Sequence, residues 1–111
     1  MTQRDPKVRL LHMRDYTRKA IDIAKDRERK DLDDDEMFQL ALTRLVEMIG
    51  EAASQFPSEN RARYPQIPWP KITGMRHRLI HEYDTVDLDI LWDTVRNDLP
   101  PLLKELEKIL E

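Results

Sequence analysis

No cysteine occurs among the 111 residues, glycine appears only twice, and aromatic side chains make up just 6% of the chain. Without cysteine there can be no disulfide, a pattern that fits a reducing compartment. Two glycines are few for a domain with many tight turns, since such turns lean on the conformations glycine supplies. No apolar run approaches the roughly 18 residues of a membrane span. The opening Met1-Thr2-Gln3-Arg4-Asp5 has no hydrophobic segment behind it to act as a secretion signal. Together these absences predict a cytoplasmic protein with no membrane association.

What the chain does have is charge, at 37% of residues, with a formal net value of −3. Helices tolerate Lys, Glu and Arg and are weakened by Gly, so the composition favours an all-α fold. The length suits a single domain over residues 1–111 with one core. A net negative balance argues against broad binding to duplex DNA, which needs a strongly basic surface. A small local basic site is still available from Lys71, Arg76, His77 and Arg78.

Hydrophobic spacing lays out the helices. Pro6 suits a first turn, and Val8, Leu11, Tyr16, Ala20 and Ile23 recur at helical intervals, predicting a helix over about 6–29. Leu10, Met13, Ile21 and Ala24 widen its apolar face. The nearly all-charged stretch 26–35 reads as a solvated helix end and loop. Asp33, Asp34 or Asp35 can cap a second helix with an apolar stripe of Phe38, Leu42, Leu45, Ile49, Ala52 and Phe56. Met37, Ala41, Met48 and Ala53 add a flank, which suggests burial on two sides, in the bundle or against another subunit. Gly50, Ala52, Ala53 and Ser54 would let a neighbouring helix come close. Pro57 ends the segment, and Ser58 opens a short turn of helix through Arg63. A proline-stiffened connector, Tyr64 to Pro70, is expected to be anchored by Trp69. A third helix is then predicted from Pro70 to about Tyr83. Asp87 would cap a fourth, which Pro100-Pro101 breaks or kinks before a last segment to the end. The expected architecture is an up-and-down bundle of four or five helices.

Chemistry concentrates in Arg76-x4-His81-x-Tyr83. Arginine is always charged and presents a planar fork of donors suited to phosphate oxygens. Histidine exchanges protons near neutral pH. With a phenol added, these groups suffice for cleavage of RNA without a metal, because the neighbouring 2′-OH is a built-in nucleophile. His81 would move the proton, and Arg76 would hold the phosphate and offset its growing charge. On a regular helix the two side chains point roughly 140° apart. Either the helix ends or bends near His81, or two copies of the chain build the site across a two-fold axis. Blander readings stand beside this one: surface or capping groups for the Arg/His pair, a helix-end position for His81, an edge-of-core aromatic for Tyr83. His77 and His81, at i and i+4 with Glu82 adjacent, resemble a helical zinc pair, but no Glu directly follows His77 and no third ligand is evident. Glu47 and Glu51 lack a Glu-x-x-His partner and read as a polar helix face. No metal and no cofactor are expected.

Several pieces in order carry a family likeness: Ile49-Gly-Glu-Ala-Ala53, Tyr64-Pro-x-Ile-Pro-Trp69, Ile72-x-Gly-Met-Arg76, Leu79-Ile-His81-x-Tyr83, Val86-Asp87 and Leu91-Trp92-x-Thr-Val95. Over nearly its whole length the chain resembles the HEPN superfamily, in particular the HepT-like toxins of HEPN/MNT toxin–antitoxin pairs. The resemblance implies a helical bundle that dimerises, or assembles further, so that the Arg-x4-His motifs line a shared cleft with metal-independent RNase activity. By the motif match Arg76 and His81 would be the catalytic pair. Lys71, His77 and Arg78 would be the accompanying contacts to RNA phosphate. It also implies a minimal nucleotidyltransferase antitoxin as partner, which in related pairs transfers AMP from ATP onto the motif tyrosine, here Tyr83. One departure is His77, where family members commonly carry Asn after the Arg. The other class of function is a noncatalytic helical module that binds a nucleotide or a partner protein through the same motif.

Overall fold

The computed structural model describes residues 5–80 and 85–111, and among them the fold is all-α, with one isolated β-bridge and no strand. Helix α1 runs Lys7–Ala24, with Pro6 at its N-terminal cap. Leu10, Met13, Ala20 and Ala24 are its buried apolar residues, whereas Val8, Leu11, Tyr16 and Ile23 are only half-buried. Leu10, Met13 and Ala24 of the expected flank, with Ala20 of the expected stripe, thus make the inner face. The buried Thr17 hydroxyl is satisfied within the helix, donating to Met13 O at 2.6 Å.

The helix stops at Ala24 rather than near residue 29. Lys25 turns extended and Asp26 takes a positive φ of 63°, a conformation that short polar side chains tolerate. The charged stretch that follows is not the solvated loop expected from its composition. It contains a short helix, α2 (Asp31–Asp34), whose Leu32 is buried in the core. Arg27 reaches Asp31 at 3.4 Å and Asp35 at 2.9 Å while lying 4.0 Å over the Phe38 ring. Arg29 reaches Asp33 at 3.0 Å and Asp89 at 2.8 Å. The reason is geometric: one buried leucine holds the stretch down, and the charges then pair with what lies beside them.

Helix α3 (Glu36–Ser54) begins where Asp35 caps it, the carboxylate accepting from the Phe38 N–H at 3.1 Å. Phe38, Leu42, Val46, Ile49, Ala52 and Ala53 are buried along it. After Pro57 comes a single 3-10 helix (Ser58–Arg63). The proline-rich connector folds back through Trp69, which stacks on Phe56 at 4.8 Å with 12° between the rings and donates its indole N–H to Tyr64 O at 3.2 Å.

The predicted third helix is two short ones. Helix α4 (Trp69–Thr73) ends at Gly74, and α5 (Met75–Leu79) ends at Ile80, which is extended. The stop comes from further along the chain. The Asp87 N–H donates to Leu79 O at 2.7 Å, and Ile80 pairs with Val86 in an antiparallel bridge, so Ile80 is extended and α5 ends before it. Helix α6 (Leu88–Asp93) is capped by Asp87, which accepts from the Ile90 N–H at 3.0 Å. One π turn (Thr94–Asp98) follows, in which the Leu99 N–H donates to Thr94 O, and α7 (Leu99–Ile109) continues to near the end. Pro100 and Pro101 therefore open α7 instead of breaking the run. Neither proline has an N–H, and the wider turn before them accommodates the altered bonding.

Helix α1 packs most extensively on α3 and then on α7, while α4 and α5 lie against α3. Gly50 makes the α3–α4 approach possible, since a Cβ there would sit 3.1 Å from Ile72 O. That contact positions the short helices carrying the Arg76 segment. No helix among the described residues is long and apolar enough to cross a membrane.

Candidate functional site

Gly74 breaks the helix just before Met75, whose buried side chain anchors α5 to the core. With Met75 and Leu79 turned inward, Arg76, His77 and Arg78 are all exposed. They divide between two places. Arg76 and His77 line a groove of about 560 Å3 against α3, together with Arg44, Glu47, Gly50 and Glu51. Arg78 turns instead toward the end of the π turn, where Asp98 lies 3.7 Å away. Lys71 on α4 reaches the same carboxylate at 3.0 Å. Asp98, only 14% exposed at its side chain, is thus shared by the two cations. Of the four basic residues singled out in the sequence, the structure brings Arg76 and His77 together and places Lys71 and Arg78 at a separate carboxylate.

Among the described residues Arg76 makes one ion pair. Its Nε lies 3.4 Å from Glu47 Oε2, with the arginine side chain 56% exposed and the glutamate 21% exposed. A single long contact in a wet setting is weak, because solvent screens the attraction and ordering two long side chains costs entropy. The guanidinium is therefore only loosely tethered, and among the described residues its other donors are open to an incoming oxyanion. Among the described residues neither the His77 ring nor the Arg44 guanidinium has a hydrogen-bond or ion-pair partner. One tethered cation, one free cation and a free imidazole consequently share one open groove, an arrangement suited to a phosphate group.

Sequence reasoning missed Arg44 and Glu47. Glu47 was read with Glu51 as a polar helix face, and Arg44 was not singled out. The available signal was their position on α3: Gly50, which marks a close neighbour, sits just beyond Glu47. His81 and Tyr83, the proposed acid–base group and AMP acceptor, lie outside the described residues. So does Glu82, which the zinc reading would need.

Comparison with known proteins sets this geometry in a family. The family model described as Ribonuclease HepT-like matches residues 13–109. A Methanocaldococcus jannaschii protein named "Putative RNase" is 35% identical over 111 residues, all of this chain and 92% of the relative. A Thermococcus cleftensis protein named "Probable ribonuclease HepT" is 41% identical over 75 residues, 68% of each chain. A third, from Caldanaerobacter subterraneus and named "Putative RNase", is 40% identical over 77 residues, 69% of each. No solved structure matches. With a match running from the middle of α1 to the end of α7, and likeness to one relative over its whole length, the chain belongs to the HepT-like family of the HEPN superfamily.

Proposed function

We propose that this chain is an RNA endonuclease, the toxin half of a toxin–antitoxin pair, acting as one domain over residues 1–111 in the cytoplasm. The observation that carries the reading is the Arg76 guanidinium. It stands on an open groove, held among the described residues only by its 3.4 Å contact with Glu47, in a chain of the HepT-like family. Arg76 binds a nonbridging phosphate oxygen in exchange for Glu47. The substrate's own 2′-oxygen forms the new bond to phosphorus as the bond to the 5′-oxygen breaks. His81 takes the 2′ proton or supplies one to the leaving oxygen, and Arg76 offsets the charge that builds on the phosphorane. A nucleophile already in the substrate makes a metal unnecessary to this step.

Two further parts belong to the proposal. Met37 and Leu40 on α3 are 83% and 60% exposed, and their face continues through Arg44 and Glu47 into the groove. A second copy covering that apolar end would set two motifs around one cleft. A nucleotidyltransferase antitoxin would silence the site by adding AMP to Tyr83, since the bulky anion would occupy the place of substrate phosphate beside Arg76.

The test is cleavage of labelled RNA in excess EDTA by parent, Arg76→Ala and His81→Ala proteins, with the mass of each checked for AMP. Cutting by the parent alone is expected, with a loss of about a hundredfold or more in either variant. Equal cutting by the variants would end this assignment. RNA binding without turnover by unmodified parent would favour a noncatalytic binding module.

A further inference from the structure

A second groove of about 260 Å3 opens between α1 and the other side of the same stretch of α3. Arg9, His12 and Tyr16 line it from α1, and Arg44, Glu51 and Gln55 from α3. Arg44 and Glu51 also line the Arg76 groove. The two grooves therefore adjoin at one pair of side chains on α3, Arg44 and Glu51.

The contents of the second groove are distinctive. His12 and Tyr16, one helical turn apart on α1, have their ring centres 6.1 Å apart and tilted by 46°. Among the described residues the side chains of Arg9, His12, Tyr16 and Arg44 have no hydrogen-bond or ion-pair partner. Arg14, Arg18, Arg27, Arg29, Arg76 and Arg78 by contrast have carboxylate partners, Arg61 and Arg96 reach backbone oxygens, and Arg63 is the other described arginine left without a side-chain partner. Arg9, Arg44 and Arg76 lie along the two grooves with two carboxylates, Glu47 and Glu51, although the whole chain carries a formal net charge of −3. The positive charge is therefore local. Glu51 opposes it where the grooves adjoin and keeps them from being a uniform cation strip. An aromatic pair beside unpaired arginines is the chemistry that tracks a single-stranded nucleic acid, with cations on phosphates and rings against bases.

We infer that the α1–α3 groove is a subsite for the nucleotides flanking the phosphate held at Arg76. Arg44 bridges the two grooves and takes the adjoining phosphate, Arg9 takes the next, and His12 with Tyr16 receives a base. The inference rests on the RNA reading of the Arg76 site, and it makes the substrate a single-stranded stretch that crosses α3.

The test measures binding apart from cutting. The probe is a short fluorescent 2′-deoxy oligonucleotide, which lacks the attacking hydroxyl, followed by anisotropy in EDTA over a range of salt. Parent, Arg9→Ala, Arg44→Ala, Arg44→Lys and Arg18→Ala proteins are compared. Arg18 pairs with Glu107 and lines neither groove, so it serves as a surface-charge control. Each of the first two variants should bind severalfold more weakly than parent. Their slope of log affinity against log salt should fall by about 0.7 per lost phosphate contact. Arg44→Lys should recover the slope, and Arg18→Ala should match the parent. Parent-like binding and slope in both Arg9→Ala and Arg44→Ala would overturn the subsite, as would a parent that does not hold the strand. A parent that cuts RNA while those two variants bind normally leaves the cleavage reading standing and removes this one. Reduced slopes in a parent series that never cuts do the reverse.

Discussion

Gly50 shows how much one missing methyl group can decide. Placing alanine there would normally help a helix, by about 1 kcal/mol of propensity. The added Cβ would meet Ile72 O at 3.1 Å, and that oxygen belongs to the backbone of α4, which cannot rotate aside as a side-chain tip could. Trp69, stacked on Phe56, and buried Ile72 resist a slide of α4. Overpacking costs roughly 1–3 kcal/mol, so the steric term should win. Gly50→Ala is expected to lose about 1 kcal/mol net, which for a chain of this size lowers Tm by about 4–8 °C. Thermal unfolding followed by circular dichroism decides it, and a Tm equal to or above the parent's would mean that α4 moves freely. Gly50 was legible in the sequence as a residue permitting close approach, but the neighbour it admits was not. Arg44 was invisible for a related reason: an exposed arginine on a helix face carries no mark until a second helix is seen to make a groove beside it.

At the scale of elements, the caps and the prolines at 57 and 70 were legible, whereas the role of Pro100-Pro101 and the tertiary stops were not. Asp35 caps α3 as its position suggests, and its carboxyl is held below its ordinary 3.8, first by the Phe38 N–H and then by Arg27. A carboxyl lowered by folding contributes stability that is complete above the ordinary value and is lost as pH falls through the lowered one. Asp35→Asn keeps an acceptor for the cap but carries no charge. Its Tm should therefore be lower than the parent's at neutral pH, and the gap should narrow in acid below 3.8. A gap of constant size across that range would show that the charge contributes nothing. Leu79 marks the opposite case. Nothing between Met75 and Tyr83 is a Gly or a Pro, so local rules extend the helix. The stop is imposed by Asp87 and Val86, which only the folded chain brings alongside. The end of α5 at Leu79 thus has a tertiary origin.

For the whole molecule, the all-α architecture followed from composition and period, because a glycine-poor, charge-rich chain with helical spacing has few alternatives. The proposed assembly places its contact on α3, where Leu40, 60% exposed beside Met37 at 83%, would be its centre. Leu40→Glu should leave the helical signal of a single chain unchanged while turning a dimer into a monomer by light scattering, and RNA cutting should be lost with it. A parent already monomeric at high concentration would remove the shared cleft.

The ties through Arg27 and Arg29 divide the molecule into two kinds of material. Leu10, Met13, Leu42 and Leu106 are held by exclusion from water, and salts that strengthen that exclusion tighten them. The join between the α1–α3 connection and the start of α6 is made differently. Arg29 spans to Asp89, and Arg96 reaches Arg27 O at 3.0 Å, both at the solvent boundary where dissolved ions screen charge. A sulfate or phosphate salt thus acts in opposite senses on the two, firming the hydrocarbon body while its ionic strength slackens the charged seam between residues 27–29 and 89–96.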